Sequence, residues 1–176
     1  MIGTSAILGI SGWSGAGKTT LIKRLIPEIC GRGFTVSTIK HAHQQFDIDQ
    51  PGKDSYEHRV AGATEVLVSS VARWALIHEH RGAPEPSLAE LTVQMAPVDL
   101  LLIEGFKNDS YEKLEVHRPS CGKDLLCLAD DQVVAVASDA ALPGVAVPVI
   151  DLDDIRAIAD FIVARCGLGK SNHGDA

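Results

Sequence analysis

The fold of this chain is decided at Gly12-Trp13-Ser14-Gly15-Ala16-Gly17-Lys18-Thr19, which fits the pattern G-x-x-x-x-G-K-[ST] at every defined position. The apolar run from Ala6 to Ile10 precedes this stretch and predicts a buried strand. Behind it, apolar residues recur at helical spacing, at Leu21, Ile22, Leu25, Ile26 and Ile29. Because a strand, a glycine loop and a helix follow in this order, the stretch is predicted to be a phosphate-binding loop.

The residue types of this phosphate loop suit a nucleoside triphosphate. Gly12, Gly15 and Gly17 allow positive φ angles and a close approach of the backbone to a ligand. The backbone N–H groups then point inward at the positive end of the following helix. Lys18 supplies a charge for the β- and γ-phosphates, and the Thr19 hydroxyl is placed to ligate Mg²⁺. The predicted nucleotide-binding stretch comprises Gly12, Trp13, Ser14, Gly15, Ala16, Gly17, Lys18, Thr19 and Thr20.

Length and composition indicate one soluble globular domain. The chain has 176 residues, of which 45% are hydrophobic and 22% charged. We expect a single P-loop NTPase domain over residues 1–169 and a disordered tail over 170–176. The net charge of −7 opposes a nucleic-acid partner held through its phosphates.

The cysteines and the first residues of the chain are used to predict the cellular compartment of the protein. The four cysteines show no C-x-x-C spacing, so cytosolic thiols that pack as small hydrophobes are expected, ahead of zinc or redox roles. The first strand follows Met1 so closely that no targeting peptide is expected. No apolar run approaches the ~20 residues of a membrane-spanning helix. We therefore expect a cytoplasmic protein without a membrane partner.

Further strands and helices predict the fold class. Strands are expected at Phe34–Ile39, Glu65–Ser69, Arg73–Glu79, Val98–Gly105, Leu114–Arg118, Val133–Ala137 and Val147–Ile150. The segments Glu65–Ser69 and Arg73–Glu79 suggest a hairpin, and hence a mixed sheet. The predicted fold is α/β, a P-loop NTPase three-layer sandwich with a mostly parallel sheet and an added antiparallel hairpin.

Several residues are predicted to cap the ends of the helices. Gly31 and Gly33 are expected to cap the first helix near Cys30, with Pro27 kinking or shortening its last turn. Asp54 is predicted to cap a helix to Ala61, which Gly62 ends. Ser87 and Glu90 predict a capping box, and Asp151 or Asp153 a cap for the last helix.

The apolar run over 98–105 ends in an acid. In a parallel sheet this end lies at the same edge as the phosphate loop. There Glu104 is predicted to hold the Mg²⁺ shell, directly or through water, or to orient the attacking water. Gly105 would let the backbone approach the γ-phosphate. Lys18 and Glu104 are therefore the predicted catalytic residues, and Thr19 and Glu104 the predicted metal ligands.

Asp139 and a polar segment after the second strand leave alternatives open. Asp139 follows a buried strand, where guanine-specific GTPases place a base-reading aspartate, yet the usual Asn-Lys-x-Asp is absent, so it is either a guanine reader or a helix cap. His41, His43, Asp47 and Asp54 lie in a polar segment after the second strand. They form a possible second site for a metal or an anionic partner, or belong to a solvated loop; two histidines alone do not make a zinc site.

Four stretches together resemble the MobB family of P-loop GTPases, the molybdopterin-guanine dinucleotide biosynthesis adapter proteins. They are Gly12 to Thr20, Lys40-His41 through Phe46-Asp47 to Gly52-Lys53-Asp54-Ser55, Ser69 to Glu79, and Leu102-Ile103-Glu104-Gly105-Phe106-Lys107. The phosphate loop is shared by a large superfamily, whereas the second and fourth stretches are more specific. The resemblance runs from about Ala6 to Ile162.

The resemblance implies a cytoplasmic homodimer that binds GTP with Mg²⁺ and hydrolyses it weakly. It implies assistance to the guanylyltransferase that joins GMP to molybdopterin, and leaves molybdopterin itself open as a further ligand. Carried over to this chain, Gly12 to Thr19 would hold the triphosphate, Thr19 and Glu104 the magnesium region, and Asp139 guanine. Some dimeric relatives carry a signature lysine that reaches the partner subunit's nucleotide, but Trp13 stands at that position and excludes it.

Two other functions remain open beside the GTP-binding adapter. A small-molecule kinase on the same fold would need an acceptor pocket and often an arginine-rich lid, and the chain has few arginines between Arg81 and Arg118. A metallochaperone GTPase is suggested by His41 and His43. Phosphoryl transfer to a pterin or nucleoside would favour the kinase, and tight nickel or zinc uptake that depends on both histidines would favour the metallochaperone.

Overall fold

The computed structural model describes residues 5–42, 46–106 and 109–169, which fall into two compact units. The sheet unit comprises the described residues of Met1–His41 and Met95–Ala176. The hairpin unit comprises those of Ala42–Gln94. Whether both belong to the single domain expected over 1–169 stays a prediction. The predicted tail over 170–176 and His43 lie outside the described residues.

The elements follow one another in the α/β order that the sequence predicts. In chain order they are β1 Ala6–Ser11, α1 Lys18–Gly31, β2 Val36–Lys40, α2 Asp54–Val60, β3 Glu65–Ser69, β4 Trp74–His78, α3 Leu88–Val93, β5 Leu100–Glu104, β6 Lys113–His117, β7 Val133–Ser138, β8 Val149–Asp151 and α4 Ile155–Arg165. Short 3₁₀ turns lie at Pro119–Cys121 and Leu126–Leu128.

The sheet unit is built on a six-stranded sheet in the order β2-β5-β1-β6-β7-β8. Among the described residues of this sheet, every pair of neighbouring strands is parallel. The carboxyl ends of all six strands therefore meet at one edge, where ligands bind in folds of this type. The first four residues of β5 are buried, as expected for a central strand covered on both faces.

The core of the sheet unit lies between one face of this sheet and the helices α1 and α4. Alternate residues of β1 and β6 point into it. The members from these strands and helices include Leu8, Ile10, Leu114, Val116, Leu21, Leu25, Ile29, Ile158 and Ile162. Burial of each large aliphatic side chain is worth about 1.5–3 kcal/mol, so this cluster fixes the phosphate loop between two packed elements.

The helix ends confirm some predicted caps and correct others. Pro27 lies inside α1, which continues to Gly31, and Gly33 takes a φ of 92° after it. Asp54 does not cap α2, because it is the first helical residue and Lys53 is the cap. Neither predicted aspartate caps α4; Asp154 does, accepting from the Ala157 N–H. The capping box of Ser87 and Glu90 is present at α3.

The hairpin unit contains a separate two-stranded sheet. β3 and β4 pair antiparallel, with Val66 opposite Ile77 and Leu67 opposite Leu76. The hairpin is thus confirmed, but the prediction that it makes the large sheet mixed is wrong. Because side chains alternate between faces, one face carries Leu67, Trp74 and Leu76, which are all exposed.

Candidate functional site

The phosphate loop has the backbone conformation that its glycines predict. Gly12, Gly15 and Gly17 have φ angles of 138°, 83° and 103°. A Cβ added at Gly12 would lie 2.4 Å from the Val116 carbonyl oxygen, so no side chain fits there. The loop leads directly into α1, whose first N–H groups have no partner within the helix. This arrangement offers an anion the amide-lined cradle that a triphosphate needs.

The charged end of Lys18 lies against the loop itself. Its ammonium donates to the Gly12 carbonyl at 2.9 Å and to the Trp13 carbonyl at 3.0 Å. The Trp13 indole N–H donates to the Asp124 carbonyl at 2.7 Å. Lys123 lies with its ammonium 5.7 Å from the centre of the Trp13 ring. A positive charge is therefore held beside the amide cradle, where phosphate oxygens would meet it.

Glu104 ends β5 beside the start of α1. Strand register places it next to Ile10 of β1 on one side and Lys40 of β2 on the other. The Thr19 hydroxyl donates to Glu104 Oε1 at 3.3 Å, and the Lys40 ammonium lies 3.7 Å from Oε2. The structure thus brings together the hydroxyl and the carboxylate predicted for the metal.

The turn after Glu104 is packed tightly against the end of β2. Gly105 has a φ of 107°, and a Cβ there would lie 2.5 Å from the His41 Cβ. The His41 N–H donates to the Glu104 carbonyl at 2.8 Å, and its ring lies 4.8 Å from that of Phe106. The observed reason for glycine is thus the approach of His41, while the approach of a γ-phosphate stays a prediction.

Tyr111 holds the same turn from the other side. Its hydroxyl donates to the Gly105 carbonyl at 2.7 Å and to the Phe106 carbonyl at 3.1 Å. Burial raises the pKa of this hydroxyl, so it stays a donor at neutral pH. The ring occupies the space beside Gly9, where a Cβ would lie 2.2 Å from it. Tyr111 therefore fixes the backbone that carries Glu104.

Arg118 joins the phosphate loop to Asp139. Its Nε donates to the Ala16 carbonyl at 3.2 Å, and its Nη1 pairs with the Asp139 carboxylate. Asp139 is not a helix cap, since residues 140–148 contain no helix. The cap interpretation is thus wrong, and base reading stays a prediction.

The possible second site is divided between the two units. His41 belongs to the sheet unit, and Asp47 and Asp54 to the hairpin unit. Asp47 pairs with Arg59 at 2.8 Å, and Arg59 also reaches Asp49 at 3.4 Å and Glu79 at 3.2 Å. Asp54 is exposed in the first turn of α2. Within the described ranges no group of three or more His, Cys, Asp or Glu side chains is arranged to hold a metal ion.

The cysteines show no disulfide among the described residues. Burial raises the pKa of the Cys166 thiol to about 11, and burial together with Glu115 raises that of Cys127. Both thiols are thus protonated at neutral pH and poor nucleophiles. None of the helices over the described part of the chain has the length and apolar character needed to cross a membrane.

Sequence reasoning missed three residues of this region: Lys40, Tyr111 and Arg118. Lys40 and Arg118 could have been found by the rule that predicted Glu104, because each is a polar residue at the carboxyl end of a parallel strand. Tyr111 follows no such pattern. Its contact with Gly105 depends on how the connection to β6 packs.

Comparison with known proteins finds relatives over most of this chain. The family model described as Molybdopterin guanine dinucleotide synthesis protein B matches residues 7–139. The molybdopterin-guanine dinucleotide biosynthesis adapter protein of Escherichia coli K12 is 43% identical over 160 residues, covering 89% of this chain and 91% of that protein. The protein of the same name from Haemophilus influenzae is 39% identical over 159 residues, covering 89% and 86%.

A solved structure shares the fold. The crystal structure of molybdopterin-guanine biosynthesis protein B aligns with a TM-score of 0.71 and 26% identity, covering 90% of this chain and 99% of the other. The α/β class, the P-loop NTPase fold and the added hairpin are thus confirmed. The matching family model and the extent of identity over nearly the whole chain lead to one conclusion. This chain belongs to the MobB family.

Proposed function

We propose that this chain is a GTP-binding adapter in the synthesis of molybdopterin guanine dinucleotide. Its family and the names of its relatives support the biosynthetic role. The observation that carries the nucleotide proposal is the loop of three positive-φ glycines with the Lys18 ammonium against it, beside the Thr19–Glu104 pair. GTP is the natural choice of triphosphate because guanine is the base of the dinucleotide that the family is named for.

The residues present fit a magnesium–nucleotide complex. Mg²⁺ prefers oxygen ligands, and a hydroxyl and a carboxylate lie 3.3 Å apart at the start of α1. Thr19 and Glu104 would hold the metal, which would neutralise charge on the phosphates. The backbone amides of the loop would bind the phosphate oxygens, and Lys18 would add a mobile charge. Lys40 balances the charge of Glu104.

The same contacts support weak hydrolysis at most. A residue that orients water needs a carboxylate oxygen aimed at that water. One oxygen of Glu104 lies within reach of Thr19, and the other is near Lys40. Glu104 is therefore better placed to organise the metal region than to activate water. These contacts support the proposal of an adapter that holds GTP and hydrolyses it slowly.

We further propose that the adapter is a cytoplasmic homodimer that assists the guanylyltransferase, with molybdopterin as a candidate further ligand. Support for association comes from the exposed apolar face of the hairpin, formed by Leu67, Trp74 and Leu76. Clustered exposed apolar side chains are uncommon on a protein that works as a monomer.

The proposed role is tested by synthesis with purified components. The guanylyltransferase, molybdopterin, GTP and Mg²⁺ are combined with wild type, Lys18→Ala or Lys23→Ala, and the dinucleotide formed is measured. Lys23 is an exposed lysine on α1 outside the loop and serves as the matched control. We expect wild type and Lys23→Ala to increase the yield and Lys18→Ala to fail. No increase with wild type would contradict the adapter role, and equal help from Lys18→Ala would contradict its dependence on nucleotide.

Replacement of the acid tests the metal region. Glu104→Gln keeps the size of the side chain but removes its charge, so the gain in GTP affinity on adding Mg²⁺ should fall by about tenfold. Binding measured in EDTA should change little. An unchanged Mg²⁺ dependence would show that Glu104 does not act on the metal.

A further inference from the structure

A cavity of about 880 Å³ opens within the hairpin unit, and its size is in the range of small-molecule sites. It shares no described residue with the phosphate loop, and the possible second site contributes only Asp47 to its described lining. The described part of the wall combines charged groups of both signs with apolar side chains, including Phe46, Asp47, Ile48, Arg59, Glu79 and Arg81. The cavity is therefore a separate candidate site.

Arg59 holds two carboxylates in the wall of this cavity. Its guanidinium lies 2.8 Å from Asp47 Oδ1 and 3.2 Å from Glu79 Oε1, and the carboxylate of Asp49 lies 3.4 Å away. One positive charge thus meets three negative charges, so the cluster stays negative. The Asp47 side chain is 53% exposed and that of Glu79 33%. Because an ionised carboxylate has about four acceptor positions, both keep capacity for a ligand with N–H donors.

Arg81 supplies a positive charge in the same wall. Its Nη2 donates to the Arg59 carbonyl at 2.5 Å and to the Ala63 carbonyl at 2.9 Å. Its φ of 51° lies in the left-handed region, which residues other than glycine seldom adopt. Strained backbone of this kind persists where surrounding contacts hold it, and it clusters at ligand sites. In the part of the chain that the structure describes, this guanidinium bonds through Nη2, which leaves its Nε and Nη1 N–H groups for a phosphate.

Apolar side chains complete the wall. Phe46 is 73% exposed and Ile48 67%, and Ile77 of β4 also lines the cavity. Apolar side chains beside charged groups suit a ligand that is apolar on its flat faces and polar at its edges. A fused heteroaromatic ring that carries an amine and a ring N–H has these properties.

We propose that this cavity binds a pterin that carries a phosphate ester, which is the chemical class of molybdopterin. Asp47 and Glu79 accept hydrogen bonds from the ring N–H and the exocyclic amine. Phe46 and Ile48 cover the ring, and Arg81 binds the phosphate. The inference rests on the proposed function, which leaves molybdopterin open as a ligand, and it adds the residues that bind it. The chain then binds the nucleotide and the pterin at separate sites.

The charges of the wall set the orientation of the ligand. A carboxylate attracts the ring N–H and the amine of a pterin and repels its phosphate. The phosphate therefore lies at Arg81, and the edge of the ring at Asp47 and Glu79. A lumazine carries a carbonyl in place of the amine. It turns an oxygen towards a carboxylate and is disfavoured.

Fluorescence titration with hydroxymethylpterin, its phosphate monoester and the matching lumazine phosphate tests the proposal. The titrations use the full chain in EDTA without GTP. Each variant is judged by a ratio of two affinities, because a loss of folded protein lowers both affinities equally and leaves the ratio unchanged. We expect the wild type to bind the pterin ester about tenfold more tightly than the lumazine ester, and about tenfold more tightly than the unphosphorylated pterin.

Two variants separate the roles within the cavity. Asp47→Asn should reduce the preference for pterin over lumazine by about tenfold, since an amide can donate to the lumazine carbonyl. Arg81→Gln keeps a donor for the backbone carbonyls but removes the charge, so the preference for the ester over the unphosphorylated pterin should fall by about tenfold. Glu57→Gln and Arg73→Gln are the matched controls, because both residues are exposed in the hairpin unit and lie outside the lining. They should change neither ratio.

The outcomes keep this inference distinct from the proposed function. A wild-type chain that binds GTP and increases the yield of dinucleotide, but binds neither ester, overturns the pterin site alone. Pterin binding whose ratios survive both Asp47→Asn and Arg81→Gln overturns this cavity as the site. If the wild type binds no pterin, yet Arg81→Gln fails to assist the guanylyltransferase, the cavity belongs to a protein partner and the inference is wrong. A chain that binds the pterin ester with the expected ratios but binds no GTP contradicts the proposed function and supports the inference.

Discussion

The sheet unit and the hairpin unit differ in how far their apolar strand residues are buried. The first four residues of β5 are at most 2% exposed. On the hairpin, by contrast, Leu67 is 61% exposed, Trp74 67% and Leu76 43%. A strand buried on both faces holds the residues at its end in fixed positions. An exposed apolar face can bind a partner protein by burying its side chains in an interface. The difference supports the proposals that the sheet unit binds the nucleotide and that the hairpin unit mediates association.

The largest loss of folding stability is expected at Gly12, where the phosphate loop packs against Val116 of β6. Gly12→Ala puts a Cβ 2.4 Å from the Val116 carbonyl oxygen at a φ of 138°, so it should destabilise the protein by about 3 kcal/mol or more. Gly15→Ala is the matched control, because its φ is 83° but nothing lies within 4 Å of the added Cβ. It should cost about 1–2 kcal/mol. Urea unfolding measures both changes. Equal costs would mean that the loop is not held against β6.

A charged substitution on the exposed face of the hairpin should weaken dimerisation and leave the folding stability of the monomer nearly unchanged. Leu76→Lys places a charge in the exposed apolar face and should weaken the homodimer by about tenfold or more, since a buried unpaired charge opposes the interface. Stability of the monomer should change by only about 0.5 kcal/mol, as for other exposed positions. Val68→Lys is the control, because Val68 is exposed on the same strand pair but points to the opposite face, so the dimer should be retained. Analytical ultracentrifugation measures the dimer, and a wild-type chain that is monomeric at every concentration would contradict the proposal.

The smallest effect is expected at the other end of the sheet unit, away from the ligand edge. The Thr35 N–H and hydroxyl donate to Asp99 Oδ2, each at 2.7 Å, and lower the pKa of this carboxyl. A lowered pKa in the folded state means that the carboxylate stabilises the fold above its unfolded pKa. This stabilisation is lost as the pH falls through the folded pKa.

Asp99→Asn should therefore cost about 1 kcal/mol near pH 6, after allowance for the exposure of this group. It should cost less near pH 3, below the ordinary pKa of an aspartate, because the carboxyl is then largely protonated in the unfolded chain and must lose its proton to make this contact. Urea unfolding at the two pH values checks the difference. A cost that does not depend on pH would show that the charge of Asp99 is not what stabilises this contact.

The comparison of the two units also explains which features could be predicted from the sequence and which could not. The phosphate loop was predictable because its glycines, Lys18 and Thr19 lie within one short stretch, from Gly12 to Thr19, and the glycine backbone angles follow from local sterics. Glu104 was predictable because any residue that ends a buried parallel strand reaches the same edge. Arg118 also follows a parallel strand, so its place at this edge could have been predicted. Its contact with Ala16, 102 residues earlier, could not, because that contact depends on the order of the strands in the sheet.

For the hairpin, the strands could be predicted from the sequence, but the sheet to which they belong could not. Its two strands were predicted from two runs of residues that favour β structure, and they are present. Those runs did not tell whether the hairpin would join the large sheet or remain separate. Pairing with the large sheet depends on which edges are free after β2 and β8 are placed, and that is a property of the whole fold.

Calorimetric titration with GTP and Mg²⁺ tests the central claim most directly, with ATP as the competing nucleotide and Lys18→Ala and Lys23→Ala as variants. We predict that wild type and Lys23→Ala bind GTP more tightly than ATP, and that Lys18→Ala loses about 2–4 kcal/mol of binding free energy through the missing charge-assisted contacts. Absence of GTP binding by the wild type, or equal affinity for GTP and ATP, would contradict the account.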